Sequence, residues 1–307
     1  MSVAAIFPGQ GTQQHGMAAS WRDDPAWEAV EHAEAALGEP LAPLVLDADA
    51  DLGRTRNAQL AVLLTSLVVW RAVTNRSDLA PGCFAGHSLG QVTALIAAGV
   101  LGLDEGVRFA ARRAELTQAA ADAHPGRMVA CIGADPEQAA AACDAAPDAC
   151  WVANDNAPGQ VVLAGTPEGV EAATAAARDS GIRRVLPLDV GGAFHTPLMD
   201  DARTGLVEEL STMTFHDGTA PVVSNDDGAA YRDGEGWRSR LAEHVVRPVR
   251  WRTVMETLVS VGSDPWLEIG HGSMLAGLAR RGARDTTVYG IAEPDDVDHA
   301  DDLGWTT

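Results

Sequence analysis

The stretch Ala85–Gly99, AGHSLGQVTALIAAG, changes character around its serine. Before Ser88, "GCFAG" reads as a short buried strand. After it, Leu89 to about Ala98 is an apolar, helix-compatible run. A Gly-x-Ser-x-Gly turn between a strand and a helix is a nucleophile elbow. Its flanking glycines, Gly86 and Gly90, allow a sharp turn that leaves the serine exposed at the top of a sheet. The helix behind it offers backbone N–H groups and a positive dipole end to a developing oxyanion. The other reading of the same residues is an ordinary helix N-cap serine.

The pattern on either side extends this unit into an α/β fold. "VAAIF" (Val3–Phe7) is a short strand ended by Pro8 and Gly9. "NAQLAVLLTSLVVWRAV" is a helix with Asn57 as its N-cap, and "LDEGVRFAARRAELTQAAADA" is a helix stopped at Pro125 and Gly126. From Met128 to Val190 the order becomes β-α-β-β-α-β, the ferredoxin-like signature. After Gly191 the larger pattern returns. A helix is expected near His195, a strand at "APVVSN", a helix at "WRTVMETLVSVG", a strand at "PWLEIG", a helix from Ser273 and a last strand at "TVYGI". The expected architecture is therefore a large, α/β-hydrolase-like domain with a mostly parallel sheet (1–126 and 191–307). It carries an inserted small ferredoxin-like α+β domain (127–190). The acidic tail from Glu293 is expected to be frayed.

Composition narrows the classes of function. The 307 residues carry a formal charge of −21, which disfavours nucleic acid and anionic membranes as general partners. The longest apolar run, Leu60–Trp70, is too short to span a bilayer and reads as a buried helix. The N-terminal stretch has no basic region and is not expected to act as a signal peptide. The four cysteines, Cys83, Cys131, Cys143 and Cys150, form no CxxC pair, which argues against a metal site. Reduced thiols in a cytoplasmic protein are the expectation.

An activated serine needs a base, and nine histidines compete. His87 adjoins Ser88, and consecutive side chains on a turn point apart, so packing beneath the elbow is expected of it. His32, His124, His216 and His299 lie in polar surroundings and read as surface residues. His195, in "VGGAFHTPLM", sits at a strand end after two glycines and is the leading candidate. His271, in "EIGHGSM", and His15, in "GQGTQQHGM", are rivals. No acidic residue stands out as a third member. A Ser–His pair oriented by a carbonyl is as plausible as a full triad.

Taken together, "FPGQGTQ", "GHSLG", "RRAELTQ", "NDNAPGQVVLAG", "GAFHTPLM", "RPVRW" and "EIGHGSMLAGL" resemble the malonyl-CoA:acyl carrier protein transacylase family. That family includes the acyltransferase domains of polyketide synthases. The resemblance covers most of the chain in the family's order. It implies Ser88 as nucleophile, His195 as base, and Gln10 with the Leu89 N–H at the oxyanion hole. It implies Arg113 as receiver of a malonyl carboxylate; from spacing alone, Arg112 and Arg113 could not be told apart. Phe194 corresponds to the malonyl-selecting version, filling the space an α-methyl group needs. The backbone carbonyl of His244 is implied to orient His195, and Asn156 and Gln160 to line the cleft.

The implied reaction moves malonyl from malonyl-CoA to the phosphopantetheine thiol of an acyl carrier protein, for fatty acid or polyketide synthesis. It needs no cofactor of its own. Carriers of this family are acidic, so docking on this acidic chain calls for a local basic surface, with Arg183, Arg184, Arg280 and Arg281 as candidates. The sequence departs from the family at Gln91 (usually glutamate), His271 (usually proline) and Ala114 (commonly glycine). A thioester hydrolase, a carrier-to-carrier transferase of longer acyl chains and a non-enzymatic scaffold are the competing readings.

Overall fold

The computed structural model describes residues 2–298. Its first part runs β1 (Ser2–Phe7), α1 (Glu28–Leu37), α2 (Ala42–Leu46), α3 (Thr55–Arg76), β2 (Cys83–Gly86), α4 (Leu89–Ala97) and α5 (Leu103–Ala123). Next come β3 (Arg127–Ile132), α6 (Pro136–Cys143), β4 (Cys150–Ala157), β5 (Gln160–Gly165), α7 (Pro167–Asp179) and β6 (Arg184–Pro187). The last part holds α8 (Asp200–Thr212), β7 (Val222–Val223), β8 (Ala230–Tyr231), α9 (Gly236–Glu243), α10 (Trp251–Ser260), β9 (Ser263–Ile269), α11 (Met274–Gly282), β10 (Val288–Ile291) and α12 (Pro294–Asp298).

The strands form a six-stranded sheet in the order β10-β9-β1-β2-β7-β8 and a four-stranded sheet in the order β4-β5-β3-β6. In the larger sheet every pair is parallel except β7 with β8. Both of its faces are buried. In β1, Ala5 and Phe7 enter one core with Phe84, Val222 and Leu267, while Ala4 and Ile6 enter another with Cys83, Ala85 and Trp266. That alternation with helices on both sides is what a parallel sheet demands. Helix α3 supplies the first of these cores. It is long and apolar enough to cross a membrane, but 78% of its apolar window is buried inside the protein.

The smaller sheet is antiparallel throughout. One face packs under α6 and α7 through Cys131, Val161 and Leu163 against Ala139, Val170 and Ala173. The other face carries Met128, Ala130 and Val162 and meets Ala193 and Phe194. Strand β4 is tied to the larger body. Asp155 N–H donates to Val249 C=O, Val249 N–H donates to Ala153 C=O, both at 2.9 Å, and Arg252 pairs with Asp155 at 2.8 Å.

Two local expectations are corrected. Helix α3 starts at Thr55, and Asn57 lies inside it, its Nδ2 reaching back 2.9 Å to Asp51 C=O. That bond ties down the preceding loop and caps no helical N–H. The residues after Glu293 are not frayed as far as Asp298. They form α12, with Val297 buried, Asp296 accepting the N–H groups of Ala292 and Glu293, and Asp298 paired with Arg76. His299 lies outside the described residues.

Candidate active site

Strand β2 delivers the chain to Ser88, which takes φ 51° and ψ −108° before α4 begins at Leu89. A non-glycine residue held there costs on the order of 1–3 kcal/mol. The neighbours must be glycine for a different reason, namely space. A Cβ on Gly86 would stand 1.9 Å from Gly90 C=O, and one on Gly90 would stand 2.1 Å from Phe7 C=O. The elbow is thus pressed against the end of β1.

Ser88 Oγ lies 2.7 Å from His195 Nε2. His195 also has a positive φ, 61°, just before a turn capped by Thr196 that leads into α8. Its Nδ1 faces the carbonyls of His244 at 2.9 Å and Arg247 at 3.1 Å. Carbonyls only accept, so Nδ1 carries the hydrogen and Nε2 is left bare to take the Ser88 proton. Burial, with the neighbouring charge of Arg113, drives the His195 pKa down to about 3.

Arg113 is 4% exposed and presents its guanidinium to the same place. Nη1 donates to Gln59 Oε1 at 2.7 Å and Nη2 to Ser88 Oγ at 3.3 Å, while Nε has no partner. Burial alone lowers its pKa, to about 10, with no anion acting against it. Arg112, on the outer face of α5, pairs with Glu115. The residues indistinguishable by spacing are separated by helix phase.

These groups line a cavity of about 490 Å³ between the four-stranded sheet and the loops that follow β1 and β2. Gln10, Leu89, Asn156, Gln160 and Phe194 line it too, as does His87. Gln10 Oε1 is 3.5 Å from Gln59 Nε2. Leu89 is the first residue of α4, so its N–H has no acceptor within the helix. Asn156 is engaged by His87, whose Nε2 lies 2.8 Å from Asn156 Oδ1 and whose ring packs on Trp251. Burial keeps the His87 pKa low. His271 turns instead to Gln14 at 2.7 Å, and His15 to Ala50 C=O at 2.9 Å. Neither lines the cavity. His32, His124 and His216 are exposed.

Two participants escaped the sequence reading. Gln59 stood in view as a polar residue inside the apolar run of α3, and it anchors Arg113. Asn225 follows β7 and contacts the elbow directly: its Oδ1 accepts Ser88 N–H at 2.8 Å. Its only signal was a polar residue at the carboxyl end of a parallel strand, where α/β folds place their sites. Gln91 is buried and accepts the N–H of Asn225 at 3.1 Å, and Ala114 is buried beside Arg113. Among the described residues no cluster of three or more His, Cys, Asp or Glu is arranged to hold a metal ion.

The site is a half-buried serine and a buried, neutral imidazole in hydrogen-bond contact, beside a cation with no anionic partner. By sequence, residues 5–301 match the family described as the acyl transferase domain. The chain is 37% identical over 296 residues to the malonyl CoA-acyl carrier protein transacylase of Escherichia coli (strain K12), covering 95% of this chain and 96% of that protein. It is 34% identical over 304 residues to the protein of the same name from Bacillus subtilis (strain 168), covering 97% and 96%. Among solved structures it resembles a type II PKS malonyl-transacylase held in complex with its acyl-carrier protein. There the TM-score is 0.93 at 34% identity, over 98% of this chain and 99% of that one.

Proposed function

This chain belongs to the acyl transferase domain family, and we propose that it moves a malonyl group from malonyl-CoA to the phosphopantetheine thiol of an acyl carrier protein. The observation that carries the reading is Arg113: a buried guanidinium with no anion of its own, within 3.3 Å of the serine oxygen. A carboxylate at the far end of a short acyl chain on Ser88 supplies the missing partner. Charge-assisted bonds of that kind contribute roughly 1.5–3 kcal/mol each.

In the first half-reaction His195 Nε2 takes the proton of Ser88 as Oγ attacks the thioester carbonyl. The Leu89 N–H, with Gln10 nearby, stabilises the oxyanion. The tetrahedral intermediate collapses, the C–S bond breaks, and the CoA thiolate leaves with the proton from His195. The malonyl ester stays on Ser88 with its carboxylate on Arg113. In the second half the carrier thiol gives its proton to His195 and attacks the ester. Ser88 regains a proton as malonyl moves to sulfur. Phe194 fills the space beside the α-carbon and disfavours a methyl group there; Asn156 and Gln160 line the cleft from the small domain, residues 127–190. Malonyl-CoA and the carrier are substrates, and no step calls for a metal or prosthetic group. Exposed Arg183, Arg184, Arg280 and Arg281 are the candidates to meet an acidic carrier. The unpaired thiols fit a reducing, cytoplasmic setting.

Intact mass after mixing with malonyl-, methylmalonyl- and acetyl-CoA tests the reading. A malonyl adduct is expected on the wild type, absent from Ser88→Ala, and discharged by added carrier. Equal loading of all three thioesters would overturn the selectivity. Rapid free malonate with no lasting adduct would make the chain a hydrolase.

A further inference from the structure

Asn225 is fully buried, and its neighbours fix the orientation of its amide. Oδ1 accepts Ser88 N–H at 2.8 Å, and Nδ2 donates to Gly86 C=O at 2.8 Å. Reversing the amide would set donor against donor and oxygen against oxygen. With Oδ1 so assigned, His244 Nε2 at 3.2 Å is a donor to it. The main chain of Asn225 is engaged as well. Its N–H donates to Gln91 Oε1 at 3.1 Å, and its C=O accepts Arg250 N–H at 2.8 Å. One residue therefore grips the elbow on one side and the loop between α9 and α10 on the other.

That loop carries the carbonyls that hold His195 Nδ1. The contacts close a ring: Ser88 N–H to the Asn225 amide, to the His244 imidazole, through His244 to its own C=O, to the His195 imidazole, and back to Ser88 Oγ. Neither Asn225 nor His244 lines the cavity. Both are placed to act only through other groups.

We propose that Asn225 and the side chain of His244 are positioning residues that hold the elbow and the His195 loop in register. The inference rests on the reading of Ser88 as nucleophile and His195 as base. The resemblance to the transacylase family assigned His244 only its backbone carbonyl, which any residue supplies. The ring adds a donor that pins this carbonyl to the same amide that pins Ser88. The serine sits in a conformation it would relax from if released. A relaxation of about 1 Å at a nucleophile can cost ~10²-fold in rate. Glutamine is the informative replacement, because its Nε2 can lie about as far along the side chain as the imidazole Nε2 and can only donate.

The test compares wild type with His244→Leu, His244→Gln and Asn225→Ala, each checked for folding by thermal melt. Two readouts are taken: the rate at which phenylmethanesulfonyl fluoride labels Ser88, and kcat and KM with malonyl-CoA. The sulfonyl fluoride bears no carboxylate, so it reports the serine independently of Arg113 and of the identity of the acyl group. Labelling and kcat are expected to fall about 10–10²-fold in His244→Leu and at least as far in Asn225→Ala, with KM within about twofold. His244→Gln is expected to recover most of the loss. A folded His244→Leu labelled at the wild-type rate overturns the inference, and so does a His244→Gln no better than His244→Leu. Where His244→Leu does not fold, a folded His244→Gln that labels more than about tenfold slower than wild type overturns it. A wild type that labels readily but forms no malonyl adduct overturns the malonyl reading and leaves the positioning comparison intact. A wild type that does not label at all overturns both.

Discussion

Arg113 Nη2 lies 3.3 Å from Ser88 Oγ, and Nη1 of the same guanidinium is held 2.7 Å from Gln59 Oε1. Gln59 aims the fork, and the buried charge has no carboxylate to neutralise it. In Arg113→Ala, kcat/KM for malonyl-CoA is expected to fall about 10–10⁴-fold, the worth of one or two charge-assisted bonds. Acetyl-CoA, with no carboxylate to leave stranded, is expected to load better than on the wild type. Initial rates with the two thioesters check this; an unchanged malonyl-to-acetyl ratio would remove Arg113 from substrate recognition.

His195 is held neutral by burial and by the charge of Arg113, with its pKa near 3. A base already deprotonated has nothing to lose on mild acidification. The rate of malonyl-adduct formation is therefore expected to stay flat from about pH 8 to about pH 5.5, with no acid limb at an ordinary histidine value. Stopped-flow acylation across that range is the check. A half-loss near pH 6.5 would mean that the imidazole is far better solvated than its surroundings imply.

Stability should behave differently from rate. Burial lowers the pKa of His87, His195 and His244 in the folded chain. Unfolded, each titrates near 6.5. Below that value the unfolded chain binds protons that the folded chain refuses, so stability is full above about pH 6.5 and is lost as pH falls. Each group contributes a slope of up to about 1.4 kcal/mol per pH unit. The urea midpoint is expected to drop between about pH 7.5 and 5.5, and to drop less in His244→Gln. Equal slopes in the two proteins would contradict a neutral, buried His244.

The elbow glycines are required by contact, not by flexibility. Alanine at Gly86 or Gly90 would drive its Cβ to 1.9 or 2.1 Å from a backbone oxygen, and backbone yields little. Each is expected to destabilise the fold by about 3 kcal/mol or more, or to prevent soluble expression. Gly53→Ala is the control. Its Cβ meets only the Asp51 side chain at 3.5 Å, and a change within about 0.5 kcal/mol is expected. Comparable urea midpoints for all three variants would contradict the packing described for the turn.

What could be read from sequence follows the range of the interactions. The elbow, the strand-helix alternation and the β-α-β-β-α-β run are local patterns, and they appear as expected in the two sheets. Arg113 needed more than spacing, yet the clue was present. Ala110, Ala114 and Thr117 put position 113 on the buried stripe of α5 and leave position 112 outside. Asn225 offered only its place after a parallel strand, because it meets Ser88 across 137 residues of chain. Asn57 misled because its side chain suits a cap; the helix starts two residues earlier, at Thr55, and the side chain reaches back to Asp51 C=O instead.

His195 leans on two peptide carbonyls, with no carboxylate among its hydrogen-bond partners. A protonated ring therefore faces Arg113 with no protein carboxylate behind it, so the hydrogen taken from Ser88 is held only while the oxyanion lasts and passes to the departing thiolate as the intermediate collapses. Each half of the proposed transfer then leaves the solvent as it found it, and an unbuffered indicator dye should register neither the burst of acyl-serine nor the turnovers after it. Leakage to water is different, since every malonyl lost as free acid acidifies the solution. In such a protein the colour of an indicator would report only the failures of transfer.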